Sequence, residues 1–143
     1  VSNNPFFADA TIIASVDAVT VLLNSGKLEI YNGTQPTDAN TAITTQTLLS
    51  TLTFGSTAFI SPAVASGSAG SKIVTATANT IASDTSAANT GTASWFRAYA
   101  SNGTTVVMDG SVSTSGDDLN LNTTSIVAGA TVSCTSFTIT QAE

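Results

Sequence analysis

Groups able to do chemistry are scarce in this chain. Its 143 residues include no histidine, one cysteine, three basic side chains (Lys27, Lys72 and Arg97) and nine acids. The missing imidazole removes the base of most nucleophilic triads and the commonest transition-metal ligand. Cys134 sits in the strand-like run Val132-Ser133-Cys134-Thr135 and reads as a small buried thiol. A single cysteine also allows no internal disulfide. The sequence holds no Gly-x-Ser-x-Gly elbow and no glycine-rich phosphate-binding fingerprint. A glycosidase-type carboxylate pair would have to come from Glu29, Asp109, Asp117, Asp118 or the few other acids. Asp117-Asp118 follows Gly116 in an evident turn, where solvated loop acids are expected. Calcium is the sharper alternative there, but it wants about six to eight oxygens. The residues therefore predict no catalytic group, no cofactor and no metal. The Asn32, Asn102 and Asn122 triplets match the glycosylation acceptor pattern, which arises by chance in a chain this rich in Asn and Thr.

The rare side chains gather in one stretch, Gly91 to Val112, which holds the only Trp (Trp95), the only Arg (Arg97) and one of two Tyr residues (Tyr99). Trp95 and Tyr99 share strand parity. They could form a sugar-stacking platform, although packing in the core or at a subunit interface is the favoured reading. Asn102-Gly103 between two apolar runs signals a hairpin. A two-residue turn would place Arg97 opposite Met108. A three-residue loop, Asn102 to Thr104, pairs Ser101 with Thr105, Arg97 with Asp109 and Phe96 with Gly110. The second register is favoured, because it gives the only Arg an acidic partner and lets the Phe96 ring lie over a glycine.

The elements that must position these residues are mostly strands. Val1 to Ala8 reads as an N-terminal arm whose Phe6-Phe7 pair packs on its own domain or docks on a neighbouring subunit. Residues 9–25 read as the one helix, with Ile12, Val16, Val19 and Leu23 on a helical period, Asp9 as cap and Gly26 at its end. Residues 27–141 read as about eight short strands separated by turns, among them Thr47 to Phe54, Lys72 to Ala78 and Leu119 to Asn122. Ala65 to Ser71 reads as a loop, and Phe59-Ile60 ends at a Ser61-Pro62 turn. In the last strand, Val132 and Cys134 have one parity and Phe137 and Ile139 the other. That requires a bulge near Thr135-Ser136, or a strand that crosses between two sheets. The expected fold is mainly β: one domain, an antiparallel β-sandwich or jelly-roll-like barrel with one N-terminal helix.

Composition agrees with that reading. Hydrophobic residues make up 42% and threonine fills 26 positions, a mix suited to pleated, half-buried surfaces. Charged residues are only 8%, and the net charge of −6 disfavours a nucleic-acid backbone as partner. The longest apolar zone, Thr11 to Leu23, carries Asp17 and is shorter than the ~20 residues of a membrane span. No positive residue precedes it, so it does not read as a signal peptide.

Read in order, several runs resemble a family. Gly26-Lys27-Leu28-Glu29-Ile30-Tyr31-Asn32-Gly33-Thr34-Gln35-Pro36 is followed by Thr47-Leu48-Leu49-Ser50-Thr51-Leu52. Gly91-Thr92-Ala93-Ser94-Trp95-Phe96-Arg97 and Asp109-Gly110-Ser111-Val112 come next, then Leu119 to Ile126 before Gly129. This order resembles small virion structural proteins of tailed bacteriophages, over most of residues 10–141. The resemblance implies a capsid decoration (cement) protein, a homotrimer on the outer capsid surface whose partner is the major capsid protein. A tail, neck or fibre-associated part and a carbohydrate-binding module are the alternatives.

Overall fold

The structure, a computed structural model, describes residues 5–60 and 64–143. Arm residues 1–4 and the expected Ser61-Pro62 turn lie outside them. Among the described residues one helix, α1 (Asp9–Val21), precedes ten strands: β1 (Lys27–Tyr31), β2 (Leu48–Thr53), β3 (Val64–Ser66), β4 (Ile73–Thr77), β5 (Gly91–Thr92), β6 (Trp95–Tyr99), β7 (Val106–Ser113), β8 (Leu119–Leu121), β9 (Ser125–Ile126) and β10 (Cys134–Ala142). Eight of them form one sheet in the order β2-β1-β6-β7-β8-β10-β4-β3, and β5 and β9 pair separately. The expected mainly β, sandwich-like fold with one N-terminal helix is observed. β3 occupies part of the stretch read as a loop.

One pairing departs from the expected antiparallel pattern: β7 and β8 run parallel over Val112–Leu119 and Ser113–Asn120. Parallel neighbours normally need a crossover of a dozen or more residues. Here residues 114–118 suffice, because the Asp118 carboxylate accepts the Ser111 N–H at 3.0 Å and its hydroxyl at 3.1 Å, folding the chain back beside the strand it has just left. Asp117 is the solvated loop acid expected, whereas Asp118 holds this return.

Residues 78–88 lace the β2 side of the sheet to the β10 side. Thr53 and Ala82 exchange backbone hydrogen bonds, as do Asp84 and Val132, while the Ala78 N–H reaches Phe137. The enclosed core holds Leu28, Ile30, Leu52, Leu119 and Leu121 around Phe54, Phe59, Phe96 and Phe137. The Phe96 and Phe137 rings meet edge-on at 5.3 Å, a favoured aromatic geometry.

Bulges reconcile the sequence with this core. Leu49 is passed over in the pairing of β1 with β2, which buries both Leu49 and Ser50 at adjacent positions. In β10 the register shifts between Cys134 and Ser136, and the strand also changes neighbour, from β8 up to Phe137 to β4 from Thr138. The expected bulge is therefore what resolves the parity, while β10 stays within the one eight-stranded sheet rather than crossing between two.

The helix differs from its expected bounds. It ends at Val21, with Leu22 as C-cap, and residues 22–25 are turns. Ala8 is the N-cap and offers no side-chain hydrogen bond; Asp9 lies inside the first turn. The left-handed residue after the helix is Ser25 (φ 56°), not Gly26. Gly26 serves a close approach instead: a Cβ there would stand 2.2 Å from the Tyr99 carbonyl oxygen.

Candidate functional site

The β6–β7 hairpin places the rare side chains. Arg97 lies opposite Asp109, Ala98 opposite Met108 and Phe96 opposite Gly110, as the favoured register requires. A Cβ on Gly110 would stand 2.5 Å from the Phe96 ring, so the glycine is what lets the ring lie there. Toward the tip the register shifts by one: Tyr99 pairs with Val106, and the Ala100 N–H bonds the Thr105 carbonyl at 2.9 Å. Ser101 therefore does not face Thr105. Asn102 decides this, because its side-chain carbonyl accepts the N–H groups of both Thr104 and Thr105 at 3.0 and 2.9 Å. The bulge joins the two candidate registers within one hairpin.

Because side chains alternate along a strand, Phe96 and Ala98 enter the core while Trp95, Arg97 and Tyr99 share the opposite face. β1 is the other neighbour of β6 and sets Tyr31, Glu29 and Lys27 beside Trp95, Arg97 and Tyr99, respectively. Tyr31 stacks on Trp95 at 4.7 Å and 15°, and Trp95 Nε1 donates to the Asn32 carbonyl at 3.1 Å. Arg97 grips Asp109 through two nitrogens, Nε and Nη2, each at 2.7 Å, with both side chains only 4% exposed. The Arg97 guanidinium lies 5.6 Å from the Trp95 ring centre, and Lys27 Nζ lies 4.9 Å from that of Tyr99. Lys27 also pairs with Glu29 at 2.6 Å, and the Tyr31 hydroxyl donates to the other Glu29 oxygen.

This cluster is closed on itself. Burial pushes the Tyr31 hydroxyl far above its ordinary value, and the Glu29 carboxylate that accepts its hydrogen bond pushes the same way. Its hydrogen bond to Asp109 raises Arg97, against the opposing effect of burial. Among the described residues no buried side-chain nitrogen or oxygen lacks a hydrogen-bond partner. Trp95 is 1% exposed and offers no open ring face to a sugar. What the cluster does is mechanical. It anchors the neck of the 32–47 loop, where the Asn32 side chain accepts the Thr47 N–H at 2.7 Å and Ser94 Oγ reaches the Gly33 carbonyl at 2.6 Å.

Phe6 and Phe7 are not part of this group. They lie beside α1, which packs on β4, β3 and β10, and they are 65% and 48% exposed. Phe7 lines a shallow apolar cavity of about 220 Å³ with Thr11, Ile12, Ser15 and the chain from Gln141 to Glu143. Of the helix, Ile12, Val16 and Thr20 are buried, whereas Val21 and Leu22 are more than half exposed. Val19, expected on the packed stripe, is only half-buried.

Two residues escaped the sequence reading. Asp84 accepts Ser50 Oγ at 2.7 Å, the Thr51 N–H at 3.0 Å and the Ser86 N–H at 2.9 Å. Desolvation opposes its ionisation, but these hydrogen bonds outweigh it and hold the carboxyl below its ordinary value. Glu143 receives two backbone N–H groups, from Phe7 and Gly70. Neither has a motif; the partners are set by chain crossings far apart in sequence. Lys27, Glu29 and Tyr31 did carry a signal, the polar parity of the run Lys-Leu-Glu-Ile-Tyr.

Cys134 is half-buried, and burial pushes its thiol up to about 11, away from the reactive thiolate. Among the described residues no three His, Cys, Asp or Glu side chains converge in a way that could hold a metal, and no helix is long and apolar enough to cross a membrane. In comparisons with known proteins, no family model matches this chain, and neither a curated protein nor a solved structure does.

Proposed function

We propose that this chain is a non-enzymatic virion structural protein of a tailed bacteriophage, a decoration protein that cements the major capsid protein lattice from outside the shell. The sequence resemblance supplies the virion, the outer capsid position and the homotrimer. One structural observation supports the docking role. Of the exposed large apolar side chains, Phe6 and Phe7 lie on the arm and Val21 and Leu22 at the far end of α1, while Ile60, Ile73 and Val127 are scattered over a β body whose buried side-chain polar atoms are all hydrogen-bonded among the described residues. Exposed apolar surface such as the Phe6-Phe7 pair marks interaction sites. A net charge of −6 suits the side of a shell away from packaged nucleic acid.

The test is cryo-EM of particles assembled with and without the protein, paired with their heat resistance. The cement reading expects added density on the outer lattice and a higher temperature of shell disruption. Unchanged lattice density and unchanged heat resistance would sink it. Loss of tails with an intact shell would move the protein to the tail or neck.

A further inference from the structure

The arm is fastened by side chains that take no part in the core. Glu143 Oε1 accepts the Phe7 N–H at 2.7 Å, and Oε2 accepts the Gly70 N–H at 2.7 Å. Lys72 Nζ donates to the Phe7 carbonyl at 2.9 Å and pairs with Asp9 Oδ1 at 2.6 Å. The Glu143 N–H bonds the Lys72 carbonyl at 2.8 Å. The end of β10, the β3–β4 turn and the first residues before α1 are thus tied in one knot. The Phe6 ring lies against Gly70, where a Cβ would meet it at 3.0 Å.

Apolar packing holds this knot only in part, since Phe6 is 65% and Phe7 48% exposed and the cavity that Phe7 lines is shallow. Hydrogen bonds and ion pairs at such a surface are screened and weak. Attachment of the arm is therefore separable from folding of the sheet, as a local opening of low free energy.

We propose that Glu143 and Lys72 form a releasable latch that decides whether Phe6 and Phe7 lie on their own chain or are presented to a second protein. The second protein as partner rests on the docking role proposed above, whereas the latch belongs to the isolated chain. The charges facing Glu143 are Lys72 ahead of β4 and, through Lys72, Asp9 on α1; Gln141 on β10 is uncharged. The Phe7 N–H lowers the Glu143 carboxyl, desolvation opposes it, and Gly70 and Lys72 add to the lowering. The latch is then closed above the ordinary glutamate range, and protons open it only as pH falls through the lowered folded value. Near neutrality, salt or a competing partner opens it.

Amide hydrogen exchange on the full chain tests this, comparing the parent with Glu143→Ala and Lys72→Met at low and high salt. Exchange at Phe7 and Gly70 is expected to rise about three- to tenfold in Glu143→Ala, less in Lys72→Met, and with salt in the parent. Val16 and Ile30 should not change. Unchanged exchange at Phe7 and Gly70 in both variants overturns the latch, as does a parallel rise at Val16, which would make arm and helix one unit. Binding to capsid particles separates the two proposals. A working latch predicts tighter binding by Glu143→Ala, and a working latch with unaltered binding overturns the presentation of the arm.

Discussion

The Arg97–Asp109 pair and the Lys72–Asp9 pair look alike as distances, 2.7 and 2.6 Å, yet they belong to opposite regimes. The first lies under stacked aromatics, with both partners 4% exposed; in the second, Lys72 is 16% exposed but Asp9 is 65% exposed, so one partner stands in water. Water decides the difference. A desolvated pair, once formed, cannot lose one partner without stranding a charge, whereas Asp9 can leave for water while Lys72 keeps the Phe7 carbonyl as acceptor. The molecule accordingly has a locked side, built on β1, β6 and β7, and a loosely held arm ahead of α1, whose Ile12 and Val16 are themselves in the core. The locked side shapes the 32–47 loop and hairpin. The arm carries the exposed phenylalanines.

Substitutions break or sharpen this contrast. Asp109→Ala should cost about 3–5 kcal/mol by leaving Arg97 buried and unpaired, while Asp9→Ala should cost less than about 1 kcal/mol. Denaturant unfolding of the two variants measures the ratio, and equal losses would erase the distinction. Gly110→Ala should cost about 1–3 kcal/mol, because the new methyl meets the Phe96 ring and, at 3.0 Å, Asp118. A matching loss in near-ultraviolet aromatic signal would tie the effect to that ring.

On the arm, stability should be gained rather than lost. Ala8 has the extended backbone of an N-cap (φ −67°, ψ 149°) but no side chain that can cap. Ala8→Asp should add about 0.5–1 kcal/mol to the helix, read as slower amide exchange at Thr11 and Ile12. The smallest effect is a pH dependence. The Asp84 carboxyl is lowered in the fold, so its contribution is present above about pH 4 and is lost as pH falls through the lower folded value. Asp84→Asn should flatten that part of the acid unfolding profile and leave the profile near neutrality shallow.

Legibility in sequence followed the range of the interactions. The Arg97–Asp109 and Phe96–Gly110 pairings were readable because only a short loop separates the partners, and one charge and one ring discriminated between two registers. The shift at the hairpin tip was not, since it depends on an Asn102 side chain capping two backbone N–H groups. The bulge in β10 was readable from conflicting parity. The parallel β7–β8 pair was not, because it needs Asp118 to fold the chain back on Ser111. Asp9 looked like a cap by type alone, and Lys72, 63 positions away, claimed it instead.

By itself the sequence determined the strand-rich class, the pairing at the base of the β6–β7 hairpin and the poverty of reactive groups. Alternation and composition act residue by residue, and the hairpin's partners lie only a short loop apart. Tertiary structure alone decided that Trp95 is closed against Tyr31, that Asp84 links β2 to the segment laced across it, and that Glu143 holds the arm. Those outcomes depend on which distant chain segment excludes water from a side chain, and desolvation is a property of the assembled fold.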